Sequence, residues 1–186
     1  MQSMRRDCLV AEFRLETERL VLREWRKEDK EPLFAMAQDP EVMRYLPGQT
    51  REQSDAAIGR MIATQAEVGF CLWAVEKRET GTFIGFCGLL PARSPLCEVE
   101  IGWRFVRACW GKGLAREAAQ ACLEWAWRTL DERSIVAITV PANERSWGLM
   151  IRLGMERNAD EDFDHPDLPE GDPLRRHVLY RIERPA

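Results

Sequence analysis

The stretch E-V-E-I-G-W-R-F-V-R-A-C-W-G-K-G-L-A-R-E-A-A-Q-A-C-L-E-W-A-W-R-T-L, from Glu98 to Leu130, decides the fold of this 186-residue chain. Its first six residues alternate between polar or small and apolar side chains, which is the period of a half-buried strand. From Leu114 onward the apolar residues recur every three or four positions, which is the period of an amphipathic helix. The stretch therefore predicts a strand, a short turn and a long helix.

The turn between these two elements contains Gly111-Lys112-Gly113. The first turn of a helix has free backbone N–H groups and the positive end of the helix dipole, so it attracts phosphate or carboxylate groups. Glycines there allow a ligand to approach the main chain closely. The motif matches neither a P-loop nor the dinucleotide fingerprint, since Arg116 stands where the last glycine of the fingerprint belongs. We predict a pyrophosphate site at residues 110–115, although a tight structural turn is the simpler alternative.

The remaining chain reads as antiparallel strands followed by alternating strands and helices, an α+β pattern. Strands are predicted at residues 13–25, 70–76, 82–90, 98–106, 135–140, 155–163 and 175–182, and helices at 28–38, 40–46, 50–67, 114–130 and 143–154. These make a mixed, mostly antiparallel sheet of about seven strands flanked by helices. We predict an N-terminal extension at residues 1–12 and a single domain at residues 13–186.

Composition excludes several classes of protein. A formal net charge of -4 argues against a nucleic-acid-binding protein, which needs a basic face. The six cysteines form no CxxC pair and have no histidine at ligand spacing, so no metal site is expected. The apolar run near the start, residues 8–11, is too short for a signal peptide, and no stretch approaches the ~18 apolar residues of a membrane span. We therefore expect a soluble, cytoplasmic protein.

Two groups of polar residues are candidates for chemistry. Glu98 and Glu100 alternate along the central strand and point to one face, where a carboxylate can accept a proton if that face lines a cleft. An exposed sheet face is the alternative. Asn143 and Ser146 stand at the start of the helix that follows the 135–140 strand, where they either cap the helix or face a cleft.

The acidic segment D-E-D-F-D-H-P-D-L-P-E-G-D spans residues 160–172. Runs of this kind are usually solvated loops. The alternative is a wall that attracts a cationic acceptor amine.

Several motifs in this order resemble the GNAT superfamily of acyl-CoA-dependent N-acetyltransferases, and within it the RimJ/RimL branch of ribosomal-protein N-acetyltransferases. The motifs are L-E-T-E-R-L-V-L-R at 15–23, D-P-E-V-M-R-Y-L at 39–46, G-T-F-I-G-F-C-G-L at 81–89, E-I-G-W at 100–103, W-G-K-G-L-A at 110–115 and N-E-R-S-W-G-L-M-I-R-L-G-M at 143–155. The resemblance implies a central pair of splayed strands. Two positions depart from the superfamily pattern, because Ala108 replaces its Gln or Arg and Met150 replaces a frequent tyrosine.

The resemblance implies acetyl-CoA as donor, no metal, and a primary amine as acceptor, either a peptide or protein N-terminus or a small molecule. It places the cofactor on Phe105, Val106, Trp110, Gly111, Lys112, Gly113, Leu114, Ala115 and Asn143. Glu100 is then the expected base, Glu98 its reserve, and Ser146 the expected acid. No membrane partner is expected, and the chain is a monomer or a homodimer. The alternative is a catalytically silent acyl-CoA sensor or scaffold.

Overall fold

The computed structural model describes residues 12–185. The predicted extension at 1–12 therefore lies, apart from Glu12, outside the described residues. Within the described range no helix combines the length and the apolar character needed to cross a bilayer.

Nine strands and five α-helices make up the described chain. The strands are β1 (Arg14–Glu16), β2 (Leu20–Arg23), β3 (Leu72–Lys77), β4 (Phe83–Leu90), β5 (Val99–Phe105), β6 (Ser134–Thr139), β7 (Glu156–Arg157), β8 (Phe163–Asp164) and β9 (Arg176–Glu183). The helices are α1 (Lys30–Ala37), α2 (Pro40–Met43), α3 (Arg51–Val68), α4 (Leu114–Thr129) and α5 (Glu144–Arg152).

The strands form one mostly antiparallel sheet in the order β1-β2-β3-β4-β5-β6-β9-β7, with β8 paired to β9. The pairing of β5 with β6 is parallel, whereas every other pairing in the described sheet is antiparallel. This confirms the predicted α+β class, with the central strand flanked by β4 and β6.

Local sequence signals explain where the helices begin. The Asp39 side chain accepts a hydrogen bond from the Glu41 amide, and Pro40 occupies the first position of α2. Thr50 and Gln53 form a reciprocal capping box at the start of α3. Both helix starts were predicted from the sequence, and both are confirmed.

The two faces of the sheet carry different elements. Helix α4 packs on the face where Cys87 of β4 lies, since the Cys87 and Cys122 sulfurs are 3.8 Å apart. Phe86 points to the opposite face because side chains alternate along a strand. Its cross-strand partner in β5 is Arg104, and Glu100 and Gly102 share that second face. The candidate carboxylate therefore lies across the sheet from α4.

Two strand predictions were wrong. The strand predicted at 13–25 is a hairpin of β1 and β2, because the Thr17 amide donates to the Leu20 carbonyl and closes a tight turn. The strand predicted at 155–163 consists of the short β7, a 3-10 turn and the short β8. These breaks raise the number of strands from about seven to nine.

Candidate functional site

The centre of the sheet opens between β5 and β6. The two strands are in register only at Val99 with Ile135 and at Glu100 with Val136. Beyond Glu100 they diverge, although β5 continues for five more residues against β4. The splayed pair expected from the resemblance is therefore present, and Glu100 lies where the gap begins.

Backbone amides of β5 line this gap. The Val106 amide donates to the Ile84 carbonyl in β4 at 3.0 Å. In an antiparallel ladder the pairs that exchange hydrogen bonds alternate with pairs that do not. The N–H groups of Trp103 and Phe105 therefore point away from β4, toward the gap. They can donate to a ligand there, whereas the Phe105 side chain is buried in the core.

The predicted anion-binding turn has the backbone required to hold phosphates. Gly111 and Gly113 have φ values of +72° and +76°, the left-handed region in which a side chain is strained. A Cβ on Gly111 would meet nothing within 4 Å, and one on Gly113 only the Arg19 guanidinium at 3.5 Å. No side chain caps the start of α4. The exposed turn therefore presents uncapped helix amides to a ligand.

Long-range hydrogen bonds hold this turn against the first hairpin. Arg19 Nη1 donates to the Lys112 carbonyl at 3.0 Å, and Arg19 Nε donates to Glu117 Oε2 at 2.6 Å. Thr17 Oγ1 donates to the same carboxylate at 2.6 Å. The conformation of residues 111–113 therefore depends on residues almost a hundred positions earlier in the chain.

Trp110 connects the turn to both sides of the gap. Its indole Nε1 donates to the Phe105 carbonyl at 2.8 Å. The Arg145 guanidinium lies 4.7 Å from the Trp110 ring centroid, a cation–π contact from the first turn of α5. Arg145 therefore adds a positive charge beside the predicted phosphate site.

Asn143 and Ser146 stand at the far side of the gap, where β6 leads into α5. The Asn143 side chain does not cap the helix. Its Nδ2 instead donates to Thr139 Oγ1 at 3.0 Å, which ties the end of β6 to the start of α5. Ser146 is half-buried in the first turn of α5, and its amide donates to the Asn143 carbonyl. The interpretation of Asn143 as a side-chain cap was wrong, because its side-chain amide donates to Thr139 instead.

Glu98 and Glu100 lie in opposite electrostatic environments. Arg181 binds Glu98 with two hydrogen bonds of 2.9 and 2.6 Å, Ser134 donates to it as well, and the Arg181 guanidinium lowers the pKa of this carboxyl. Glu100 is 9% exposed, and burial raises its pKa, opposed by Arg93 at 3.2 Å and by the charge of His165. Two neighbouring carboxyls with pKa values shifted apart suit different roles.

A pocket lies beside Val106 on the face of the sheet that carries Glu100. The Val106 side chain lines this pocket of about 280 Å³ between β4, α1 and α2. Arg107 borders the same pocket and forms an ion pair with Asp39 at 3.5 Å. The pocket adds room beside the end of β5 on the side away from α4.

Ion pairs neutralise three of the seven acidic side chains in the segment at 160–172. Glu161 pairs with Arg181 and Asp162 with Arg157, while Asp164 lies 3.4 and 3.5 Å from two further arginines, Arg175 and Arg176. The other four acidic residues have no arginine or lysine partner in the described chain, so the segment keeps part of its capacity to attract a cationic acceptor.

The structure brings most of the predicted site residues to the rim of the gap. Glu100, the 110–115 turn, Asn143 and Ser146 surround it, whereas Glu98 is occupied by Arg181 and Phe105 offers only its backbone. Four basic residues outside the predicted set also border the site: Arg19, Arg93, Arg104 and Arg145. Arg145 lies inside the N-E-R-S motif, which was the one signal for it in the sequence.

Among residues 12–185, no group of three or more His, Cys, Asp or Glu side chains is placed to hold a metal ion. The five cysteines of this range are free thiols.

Comparison with known proteins agrees with this geometry. The family model described as the acetyltransferase (GNAT) domain matches residues 19–156. The chain belongs to the GNAT acetyltransferase family. It is therefore an acetyltransferase, and the match covers the chain from β2 through α5 to the first residue of β7, including the turn at 111–113.

Individual relatives extend this result. The uncharacterized protein YkkB of Bacillus subtilis is 33% identical over 78% of this chain and 86% of its own length. The crystal structure of a GNAT-family acetyltransferase from Bacillus anthracis superposes with a TM-score of 0.77 at 25% identity, over 92% of this chain and 99% of that one. RimL, a ribosomal L7/L12 acetyltransferase solved with coenzyme A, shares the fold alone, with a TM-score of 0.75 at 14% identity over 92% of this chain and 98% of that one.

Proposed function

We propose that this GNAT acetyltransferase uses acetyl-CoA as donor and transfers the acetyl group directly to a primary amine. The observation that carries the proposal is the joint position of two features. An uncapped helix start with two left-handed glycines lies at one end of the gap between β5 and β6, and the buried carboxyl of Glu100 lies at the other.

The residues present fit acetyl-CoA. The amides that begin α4 and the left-handed glycines Gly111 and Gly113 suit a pyrophosphate, because any side chain at the glycines would fill the approach. Lys112 in the turn and Arg145 against the Trp110 ring add positive charge. Ala108 supplies no side-chain donor, so in this chain the backbone and these two cations carry the contact. The bound donor supplies a thioester, an acyl group that an amine can attack.

Glu100 is the base in this proposal. A carboxyl with a raised pKa accepts a proton more effectively near neutral pH than one with a lowered pKa. Glu100 receives a proton from the acceptor amine, directly or through water, so that the amine can attack the thioester carbonyl. The C–N bond forms and the C–S bond breaks within one ternary complex, where positioning supplies much of the acceleration. Glu98, held by Arg181, is the weaker candidate.

Backbone N–H groups and Ser146 act on the carbonyl oxygen and on the sulfur of the thioester. The N–H groups of Trp103 and Phe105 point into the gap and can stabilise the negative charge that develops on the carbonyl oxygen. Ser146 is the proposed donor to the departing thiolate. A thiol has a pKa of about 8.5, so a weak donor is sufficient. Met150, at the position of the frequent tyrosine, is 1% exposed in the core and cannot take this role.

We also propose the RimJ/RimL branch, on the motifs at 15–23, 39–46 and 143–155. In that case the acceptor is a peptide or protein N-terminus, with a small amine as the second possibility. We keep a cytoplasmic location as part of the proposal, which the free thiols of the described chain support.

The test is thermal unfolding with acetyl-CoA, followed by a screen of amines and peptides for release of free thiol. Acetyl-CoA at about 100 times its dissociation constant should stabilise the protein by about 2.7 kcal/mol. Absence of a shift would contradict use of this donor. A shift without thiol release for any amine would instead indicate an acyl-CoA binder.

Replacing Gly113 by alanine should weaken acetyl-CoA binding about 10-fold or more. The new Cβ lies where the phosphates would approach, and the left-handed conformation costs an L-residue about 1–2 kcal/mol. Calorimetric titration with acetyl-CoA measures the effect. Gly81→Ala is the matched control, because Gly81 has φ +64° in the β3–β4 turn with no atom near its Cβ position. Equal affinity of both variants would argue against phosphate binding at the turn.

Replacing Arg93 by alanine should move the acidic limb of the kcat/KM profile to higher pH. Arg93 lowers the pKa of Glu100, which burial raises. Without this cation the pKa of Glu100 rises further, so the carboxyl stays protonated, and inactive as a base, up to a higher pH. Arg60→Ala, an exposed change on α3, is the control. An acidic limb at the same pH in both variants would exclude Glu100 as the titrating base.

A further inference from the structure

Arg104 is a half-buried cation without a carboxylate partner. It lies on β5 opposite Phe86, and its guanidinium is 5.2 Å from the centroid of that ring. The nearest polar contact is a long one, 3.5 Å from Arg104 Nη1 to Gln49 Oε1 in the loop between α2 and α3. No acidic side chain among residues 12–185 approaches it within the 4.0 Å of an ion pair.

Other packed arginines have strong acceptors. Arg184 donates to three backbone carbonyls. Arg23 is paired with Asp29 and Glu76, and Arg181 with Glu98 and Glu161. Burial without compensation lowers the pKa of Arg104 to about 10. A buried cation without a partner is unfavourable in the free protein, so a ligand anion that neutralises it gains from a site already built.

The position of Arg104 indicates which ligand this is. Arg104 and Glu100 lie on one face of β5, four residues apart, which corresponds to ~13 Å along a strand. The predicted phosphate turn begins α4, on the other face of the sheet. An anion that reaches Arg104 therefore belongs to the molecule whose amine meets Glu100, and not to the phosphates of the donor.

We propose that Arg104 binds a carboxylate of the acceptor, so that the preferred substrates are amines with a carboxylate many bonds away, such as long ω-amino acids or acidic peptides. This rests on the proposed function and specifies its acceptor. Gln49 makes only a long contact with the Arg104 guanidinium. The N–H groups of the guanidinium are therefore available to a carboxylate.

The test compares matched acceptors with acetyl-CoA, using ω-amino acids of increasing length and short peptides, each against its carboxamide. Wild-type kcat/KM should favour the free carboxylate by about 10- to 100-fold, the range of a charge-assisted hydrogen bond. Arg104→Met should abolish this preference, mainly through KM, and Arg104→Lys should restore part of it. Arg60→Met should keep the full preference. Equal use of acid and amide by the wild type would overturn the proposal.

Two measurements separate this proposal from the function on which it rests. Binding of the same acids and amides to the protein saturated with CoA, which cannot react, should show the same preference even if no acceptor turns over. If the CoA-saturated protein binds acids and amides equally well, the role of Arg104 is overturned. If the binding preference is present but no thiol is released, only the proposed reaction is overturned. The melting temperature of Arg104→Met should equal or exceed that of the wild type. A large decrease would make Arg104 a structural residue and contradict the proposal.

Discussion

Replacing Glu100 by glutamine should lower turnover about 10²- to 10⁴-fold, the usual contribution of a positioned general base. Glutamine has nearly the same shape but cannot accept the proton of the acceptor amine. The loss should be greatest at pH values between the pKa of Glu100 and that of the amine. It should narrow at higher pH, where the amine loses its proton to water. Initial rates of thiol release across pH measure the effect.

Affinity for acetyl-CoA is the internal control for this variant, because Glu100 lies across the sheet from the turn at 111–113. It should remain nearly unchanged. Glu124→Gln, an exposed change on α4, controls for the loss of one negative charge. Turnover of Glu100→Gln equal to that of the wild type at every pH would remove Glu100 as the base. In that case Glu98→Gln becomes the variant to measure.

Replacing Arg23 by methionine should destabilise the protein by about 3–5 kcal/mol, the cost of breaking a buried ion pair from one side. Arg23 donates to both oxygens of Asp29 at 2.8 Å and to Glu76 at 2.6 Å. The side chains of Arg23 and Asp29 are 6% and 3% exposed. Methionine fills similar space but leaves two carboxylates without their cation. The midpoint of urea unfolding reports the loss.

Two comparisons test this interpretation. Arg14→Met removes an arginine from an exposed pair with Glu16 and should change stability little, because water screens such pairs. Adding Asp29→Asn and Glu76→Gln to Arg23→Met should recover part of the loss, since the carboxylates then carry no uncompensated charge. A loss for Arg23→Met as small as that for Arg14→Met would contradict the prediction.

The sequence predicted those features whose cause is local. The caps at Asp39 and Thr50 depend on residues two or three positions away, and the glycines at 111 and 113 are required by the backbone itself. The hairpin at Thr17 was missed because its turn contains neither glycine nor proline. Hydrogen bonds from the Thr17 hydroxyl and the Arg19 guanidinium to Glu117 hold this turn instead.

The site was predicted unevenly for the same reason. Spacing placed Glu98 and Glu100 on one face, but only the fold shows that Arg181 holds the first while burial surrounds the second. Asn143 has the sequence signature of a cap, and only the three-dimensional arrangement gives its amide to Thr139. No pattern in the sequence marks Arg104, because the absence of a partner for a charge is a property of the packed structure.

The narrow junction of β5 with β6 divides the sheet into two parts, β1 to β5 and β6 to β9, joined along their backbones at only two residue pairs. A donor lying in the gap would supply contacts to both parts at the place where the ladder lacks them. Amide hydrogen exchange in β6 and β9 should therefore slow on binding, although these strands lie beyond the phosphate turn. Substrate would then act as a mechanical brace between the two parts of the sheet.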